Sequence, residues 1–210
     1  MIALLAAAAL GGTAVDAERA FARDAQRIGQ WASFRKWSDH DAVMFVPQTV
    51  WAREFTAGRK EPARAIAWSL NDSITSCDGA VAVNIGPWNV PGKKAQGLFT
   101  TIWLKKPTGW HWIYDGGQVL PQPVAARATP LVRRASCSGK PTGAPIAPAP
   151  PPPPKTSKAG TPSDQGRGES GDRTLGWDWK VSKAGDRTLR VFQWTGKGYA
   201  KVADQHIPAQ

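Results

Sequence analysis

The sequence predicts an α+β fold, with a strongly curved antiparallel sheet on a long N-terminal helix and an antiparallel meander at the C-terminal end. Three observations predict it. From Asp16 to Trp37, apolar residues recur at Ala17, Phe21, Ala25, Ile28, Trp31, Phe34 and Trp37, which is helical spacing over about six turns. Ser76 to Trp88 reads as a strand end, an Asp78-Gly79 turn and a second strand alternating into an aromatic. Asp-Gly between alternating apolar runs signals a two-residue hairpin, because both central residues of a type I′ turn need positive φ. Finally, Gly171-Asp172-Arg173-Thr174-Leu175 returns as Gly185-Asp186-Arg187-Thr188-Leu189, each copy leading into an alternating stretch.

The elements follow in order. Thr13-Ala14-Val15-Asp16 has the pattern of a capping box opening the long helix. Ser38-Asp39-His40-Asp41 ends that helix, and Ala42 to Val46 forms a first short strand. A second, shorter helix is expected from Lys60-Glu61-Pro62 through Ala67, with Pro62 in the first turn where proline is tolerated. Strands follow at 68–77, 80–88, 97–105 and 110–115, separated by turns at Asp78-Gly79, Asn89 to Lys93 and Lys106 to Gly109.

Charge and cysteine content narrow the class. The formal charge is +11, unevenly spread: residues 1–120 carry 13 Lys and Arg against 10 Asp and Glu, and residues 121–210 carry 14 against 6. No block of five basic residues occurs, so this is a diffusely basic surface with no specific nucleic-acid footprint. The apolar run Met1 to Leu10, with small residues after it, has signal-peptide length and is too short to span a bilayer. No basic residue precedes the run, so residues 1–14 read as the remnant of a signal peptide with cleavage after Ala14 or Ala17, and the location expected is periplasmic or secreted. Cys77 and Cys137 are the only cysteines, an even count consistent with one disulfide in an oxidising compartment. It would close a loop of about 60 residues and stabilise the fold by roughly 4 kcal/mol. Neither cysteine sits in a Cys-x-x-Cys pair or near a His, which argues against thiol catalysis and zinc.

The long helix, Asp-Ala-Val-Met-Phe-Val-Pro, the short helix, Ser-Cys-Asp-Gly-Ala-Val-Ala-Val-Asn-Ile-Gly-Pro-Trp, Phe-Thr-Thr-Ile-Trp and Gly-Trp-His-Trp-Ile-Tyr-Asp-Gly-Gly together resemble the nuclear transport factor 2-like superfamily. SnoaL-like and uncharacterised bacterial branches are the most similar. The resemblance covers roughly residues 16–117 and implies a cone: a curved sheet wrapped around helices, with a pocket at the open end. Some relatives are isomerases, cyclases or dehydratases, and others only bind ligands or protein partners. It implies a small apolar or aromatic ligand or a protein partner in the pocket, and a homodimer formed through the sheet; a structural alternative has the basic C-terminal half making contacts with an envelope protein, and no cofactor is expected.

Candidate site residues follow from this layout. Enzymatic relatives often carry an acidic residue on a sheet strand, and Asp115 matches such a position by order of elements. A carboxyl in an apolar cleft has a raised pKa and can move protons near neutrality. Alternatively, Asp115 only shapes an Asp115-Gly116-Gly117 turn by bonding backbone N–H groups. His111 is a second catalytic candidate, but the two side chains would lie about 13 Å apart along an ideal strand. Trp88, Trp103, Trp112 and Tyr114 are candidates to line a ligand site. Strict alternation puts Trp110, Trp112 and Tyr114 on one face and His111, Ile113 and Asp115 on the other, and a bulge would re-aim any of them. His40 between Asp39 and Asp41 has no metal-ligand spacing, and no metal is expected.

Five segments are therefore expected: the signal remnant at 1–14, a cone domain at 15–117, an irregular wrap at 118–140, a Pro-rich linker at 141–170, and a three-stranded meander at 171–210 docked on the cone sheet. Within the linker, Pro150 to Pro154 are expected to form a polyproline rod of about 15 Å.

Overall fold

The computed structural model describes residues 12–143 and 162–209. Most of the signal remnant and the five-proline run lie outside them. The α+β class holds: an eight-stranded mixed sheet packs on N-terminal helices, and a separate four-stranded antiparallel sheet covers its other face.

The expected single helix is two. Helix α1 (Ala14–Ile28) begins with a complete capping box, in which the Thr13 hydroxyl accepts from the Asp16 N–H at 3.2 Å and the Asp16 carboxylate accepts from the Thr13 N–H at 2.9 Å. It stops at Gly29, whose φ of +104° leaves the helical region, and α2 (Gln30–Trp37) restarts at once. The Glu61 carboxylate receives the backbone N–H groups of Trp31 and Ala32, both at 2.8 Å, at the start of α2. That use of Glu61 corrects a second expectation, because residues 60–67 form no helix. They are tied to α1 and α2 by side chains instead: Gln30 accepts from the Ile66 N–H at 3.0 Å, and Gln26 donates to the Ile66 carbonyl at 2.7 Å. The short helix lies earlier, at α3 (Ala52–Thr56).

The large sheet contains β1 (Ser38–Phe45), β2 (Thr49–Trp51), β3 (Ala67–Trp68), β4 (Asp72–Thr75), β5 (Val81–Asn89), β6 (Gln96–Lys106), β7 (Gly109–Val119) and β8 (Leu131–Arg134). Its order is β2-β1-β7-β6-β5-β4-β8, with β3 also on β5. The pairs β1–β7 and β4–β8 are parallel and the rest antiparallel. Strand β8 falls inside the segment expected to be irregular. Between β4 and β5, Ser76 N–H bonds to the Val81 carbonyl, and only Gly79 takes positive φ (+67°). The turn is therefore a four-residue loop, not type I′, and Asp78 shapes it by accepting from Ser76 Oγ and the Ala80 N–H.

Cys77 and Cys137 form the disulfide, with Cα atoms 5.2 Å apart. The second sheet contains β9 (Gln165–Glu169), β10 (Leu175–Val181), β11 (Arg187–Trp194) and β12 (Tyr199–Ile207), in the order β12-β11-β10-β9. It has four strands, not three, because β9 forms within the expected linker. Gly166 and Gly168 carry no side chain where the indoles of Trp179 and Trp177 cross that strand, and an added Cβ would meet those rings at 2.5 and 2.4 Å. Leu175 and Leu189, the last residues of the two repeats, are fully buried. They join Ile74, Val83, Ile102 and Tyr114 of the large sheet in one apolar layer. Polar ties reinforce this contact, since Thr174 Oγ1 accepts from Cys77 N–H at 2.8 Å and Asp172 accepts from Asp78 N–H at 2.7 Å.

Candidate functional site

Strand β7 decides what faces the concave side of the sheet. Opposite β6, Trp103 pairs with Trp112 and Ile102 with Tyr114, so Ile113 is an extra residue in a bulge. Trp110 and Trp112 point into the helix-side core with Phe21 and Phe34. Beyond the bulge the phase flips. Tyr114 turns to the second sheet, where its ring packs on Phe45 and Trp179, and Asp115 turns inward. Simple alternation, which grouped Trp110, Trp112 and Tyr114, is thereby corrected. The strand also does not stop at Asp115. Gly116 and Gly117 stay in the sheet opposite Thr100 and Phe99, so the alternative Asp-Gly-Gly turn does not form.

A cavity of about 320 Å³ opens at this end of the sheet. Trp31 and Phe34 of α2, Phe45 and Val46 at the end of β1, Ile66 and Trp68, Trp88 and Val90, Phe99, and Val119 make an apolar wall. Gln30 and Asp115 are its polar side chains, and Asp115 is the one ionisable group in it. The Asp115 carboxylate makes no hydrogen bond among the described residues. Burial, and after it the Glu18 carboxylate, pushes its pKa up to about 7, while Arg187 pulls it down. Beside it, the Trp88 indole lies over Gly117, where an added Cβ would come within 3.2 Å of Nε1. That N–H is buried and makes no hydrogen bond among the described residues.

Of the four aromatic candidates, Trp88 alone lines the cavity. Trp103, Trp112 and Tyr114 are buried to within 1% and serve as packing, with Tyr114 on the far face of the sheet. His111 lies on the side of β7 away from Asp115's cavity, with Nε2 3.0 Å from Thr108 Oγ1. Burial lowers its pKa against the opposing pull of Asp39, which lies at the opposite end of the strand from the cavity. His111 and Asp115 are not brought together. His40 is an exposed residue bonded to Asp41 at 2.8 Å, and no cluster of metal-ligating side chains occurs among the described residues.

Sequence reasoning missed Glu18. It sits on α1, 1% exposed, and its carboxylate accepts from Trp68 Nε1 (2.8 Å), Thr101 Oγ1 (2.6 Å), Trp103 Nε1 (2.8 Å) and Asn84 Nδ2 (3.2 Å). Burial raises its pKa against the pull of these donors. One carboxylate thus ties α1 to β3, β5 and β6 and fixes Trp68, whose indole forms part of the cavity wall. The available signal was an acidic residue between Ala17 and Phe21 on a helix face that is apolar apart from it and Asp24, opposite strands rich in tryptophan and threonine. On the other side of Trp68, Glu18 borders a second cavity with Arg19, Arg23 and Arg127.

No protein-family model matches the chain, and no curated protein sequence does. Solved structures match it at low sequence identity. One such solved structure is a nuclear transport factor 2-like protein of unknown function from Shewanella oneidensis, at 14% identity and a TM-score of 0.41, covering 50% of this chain and 98% of that one. Another is a protein of unknown function from the DUF3225 family of Pectobacterium atrosepticum, at 18% identity and a TM-score of 0.39, covering 52% of this chain and 93% of that one.

Proposed function

We propose that this protein binds a small, largely apolar or aromatic molecule in the cavity between α2 and the concave face of the large sheet. The observation that carries the reading is the wall itself: tryptophan, phenylalanine and aliphatic side chains surround one carboxyl group that no donor among the described residues occupies. Apolar burial supplies affinity in such a cavity, and a few convergent polar groups orient the ligand. Here Asp115 would meet a hydroxyl or amine of the ligand, and the unpartnered Trp88 N–H would meet an acceptor.

The raised pKa of Asp115 favours a second reading, an enzyme in which this carboxyl acts as general acid and base in an isomerisation, dehydration or cyclisation. The protein-binding alternative would place a partner's apolar side chain in the same cavity. The Cys77–Cys137 disulfide supports a periplasmic or secreted protein, since such bonds persist in oxidising compartments. Among the described residues, no helix is long and apolar enough to cross a membrane.

Native mass spectrometry of protein exported to a bacterial periplasm, set against its denatured mass, tests the binding reading. A retained mass that Asp115→Asn diminishes is the expected result. Bare chain mass in both, with a peptide or protein bound on co-expression, would favour the partner reading. Turnover of the retained compound that Asp115→Asn abolishes while binding persists would favour the enzyme.

A further inference from the structure

Arg187 is the first residue of β11, and it is almost wholly buried, with 5% of its surface exposed. Its guanidinium lies on the convex side of β7. Nη2 donates to the Gly117 carbonyl at 2.7 Å, and the guanidinium carbon sits 4.2 Å from the centre of the Phe45 ring. A Cβ at Gly116 would come within 3.0 Å of the same carbon, so the glycine is what lets the side chain in. Among the described residues no carboxylate lies within ion-pair distance of it, and its Nε makes no hydrogen bond. A buried cation without an ion pair is costly unless neighbouring charge and dipoles compensate it.

The groups that it touches belong to the cavity. Phe45 and Gly117 are both cavity wall, and Asp115 lies two residues before Gly117, facing inward. The charged groups acting on Asp115 from the packed elements are Glu18 of α1, which disfavours its ionised form, and Arg187 of β11, which favours it. Tyr114, the neutral titratable group beside Arg187, has its pKa pushed up to about 12 by burial and stays protonated.

We propose that Arg187 is a positioning residue of the binding cavity: from the C-terminal sheet it holds the Phe45 and Gly117 wall and sets its charge one strand away from the Asp115 carboxyl. The C-terminal sheet is then part of the site, not an appended module. This inference rests on the cavity being the binding site, but its test needs no ligand.

The side-chain carboxyl carbon of Asp115 in the 210-residue chain is followed by NMR through a pH titration, with Asp115→Asn supplying the assignment. Arg187→Gln should move the Asp115 midpoint up by about one pH unit, and Arg187→Lys should restore most of it. In the unsubstituted protein, the Arg187 Nε resonance should shift with the same midpoint as Asp115 and cease to do so in Asp115→Asn. That second measurement decides the matter if Arg187→Gln does not fold. An Asp115 midpoint that is unchanged in folded Arg187→Gln, or an Arg187 resonance indifferent to Asp115, would overturn the proposal. Failure to bind any small molecule, with these titrations as expected, would instead count against the binding function alone.

Discussion

Trp112 and Asp115 share the concave face of β7 although they are three residues apart, because the bulge at Ile113 takes one residue out of register. An odd separation in a regular strand puts side chains on opposite faces. The bulge therefore places a carboxyl where the helix-side core gives way to the cavity.

Asp115 should make the protein less stable as pH rises. Its pKa is about 7 in the folded chain and near 3.8 when unfolded, so the folded state holds the proton over that interval and the unfolded state does not. Stability from this group is complete below pH 4 and is lost as pH climbs toward 7. Allowing for water in the cavity, Asp115→Asn should be more stable than the unsubstituted protein by about 2–3 kcal/mol at pH 8 and no more stable at pH 4. Urea unfolding at the two pH values reads this directly, and an equal effect at both would contradict it.

Glu18→Ala should destabilise the fold by about 3–5 kcal/mol, since it strips the acceptor from two indoles, a hydroxyl and an amide inside the core. Glu18→Gln should also be destabilising, because its amide NH₂ would meet donors. Denaturant midpoints of the two variants check this. A loss under 1 kcal/mol for Ala would mean that the network is dispensable.

Gly168→Ala should cost about 1–3 kcal/mol and loosen β9, as the new methyl meets the Trp177 ring. The readout is tryptophan fluorescence during unfolding, together with hydrogen exchange of residues 165–169. Unchanged protection there would refute the claim that the glycine makes room for the indole.

Replacing both cysteines by serine should lower stability by about 4 kcal/mol, the amount expected for opening a loop of 60 residues. Alkylation of the unreduced, exported protein should label neither cysteine. Two free thiols would remove the disulfide from the account.

Much of the scaffold was legible in the sequence, and the reasons are local. The Thr13–Asp16 capping box, the alternation in β5 and β6, and the repeated strand-entry pattern ending in Leu175 and Leu189 all act over a few residues. What escaped depends on distant partners. Glu61 was read as part of a helix because its role as a cap for α2 is set 30 residues away. Strand β9 escaped because Gly166 and Gly168 give no alternation, and its stability comes from the indoles of β10. Within the site, Asp115 and Trp88 were legible as a carboxyl on a strand end and an aromatic. Trp103, Trp112 and Tyr114 were not separable from them, because neither the position of the bulge nor the face of β7 that the docked C-terminal strands cover shows in residue order. Glu18 carried the weakest signal, one of two acids on a largely apolar helix face.

The central claim is that the cavity around Asp115 takes a small apolar molecule. The most direct measurement is an NMR screen of small aromatic and alicyclic compounds bearing one hydroxyl, amine or carbonyl against the full chain, read at the tryptophan indole N–H resonances. The account predicts compounds that shift Trp31, Trp68 and Trp88 together, leave Trp177 and Trp194 unmoved, and bind more weakly to Asp115→Asn. A screen in which no compound moves the three cavity indoles, or in which binding shifts only the second sheet, would contradict it.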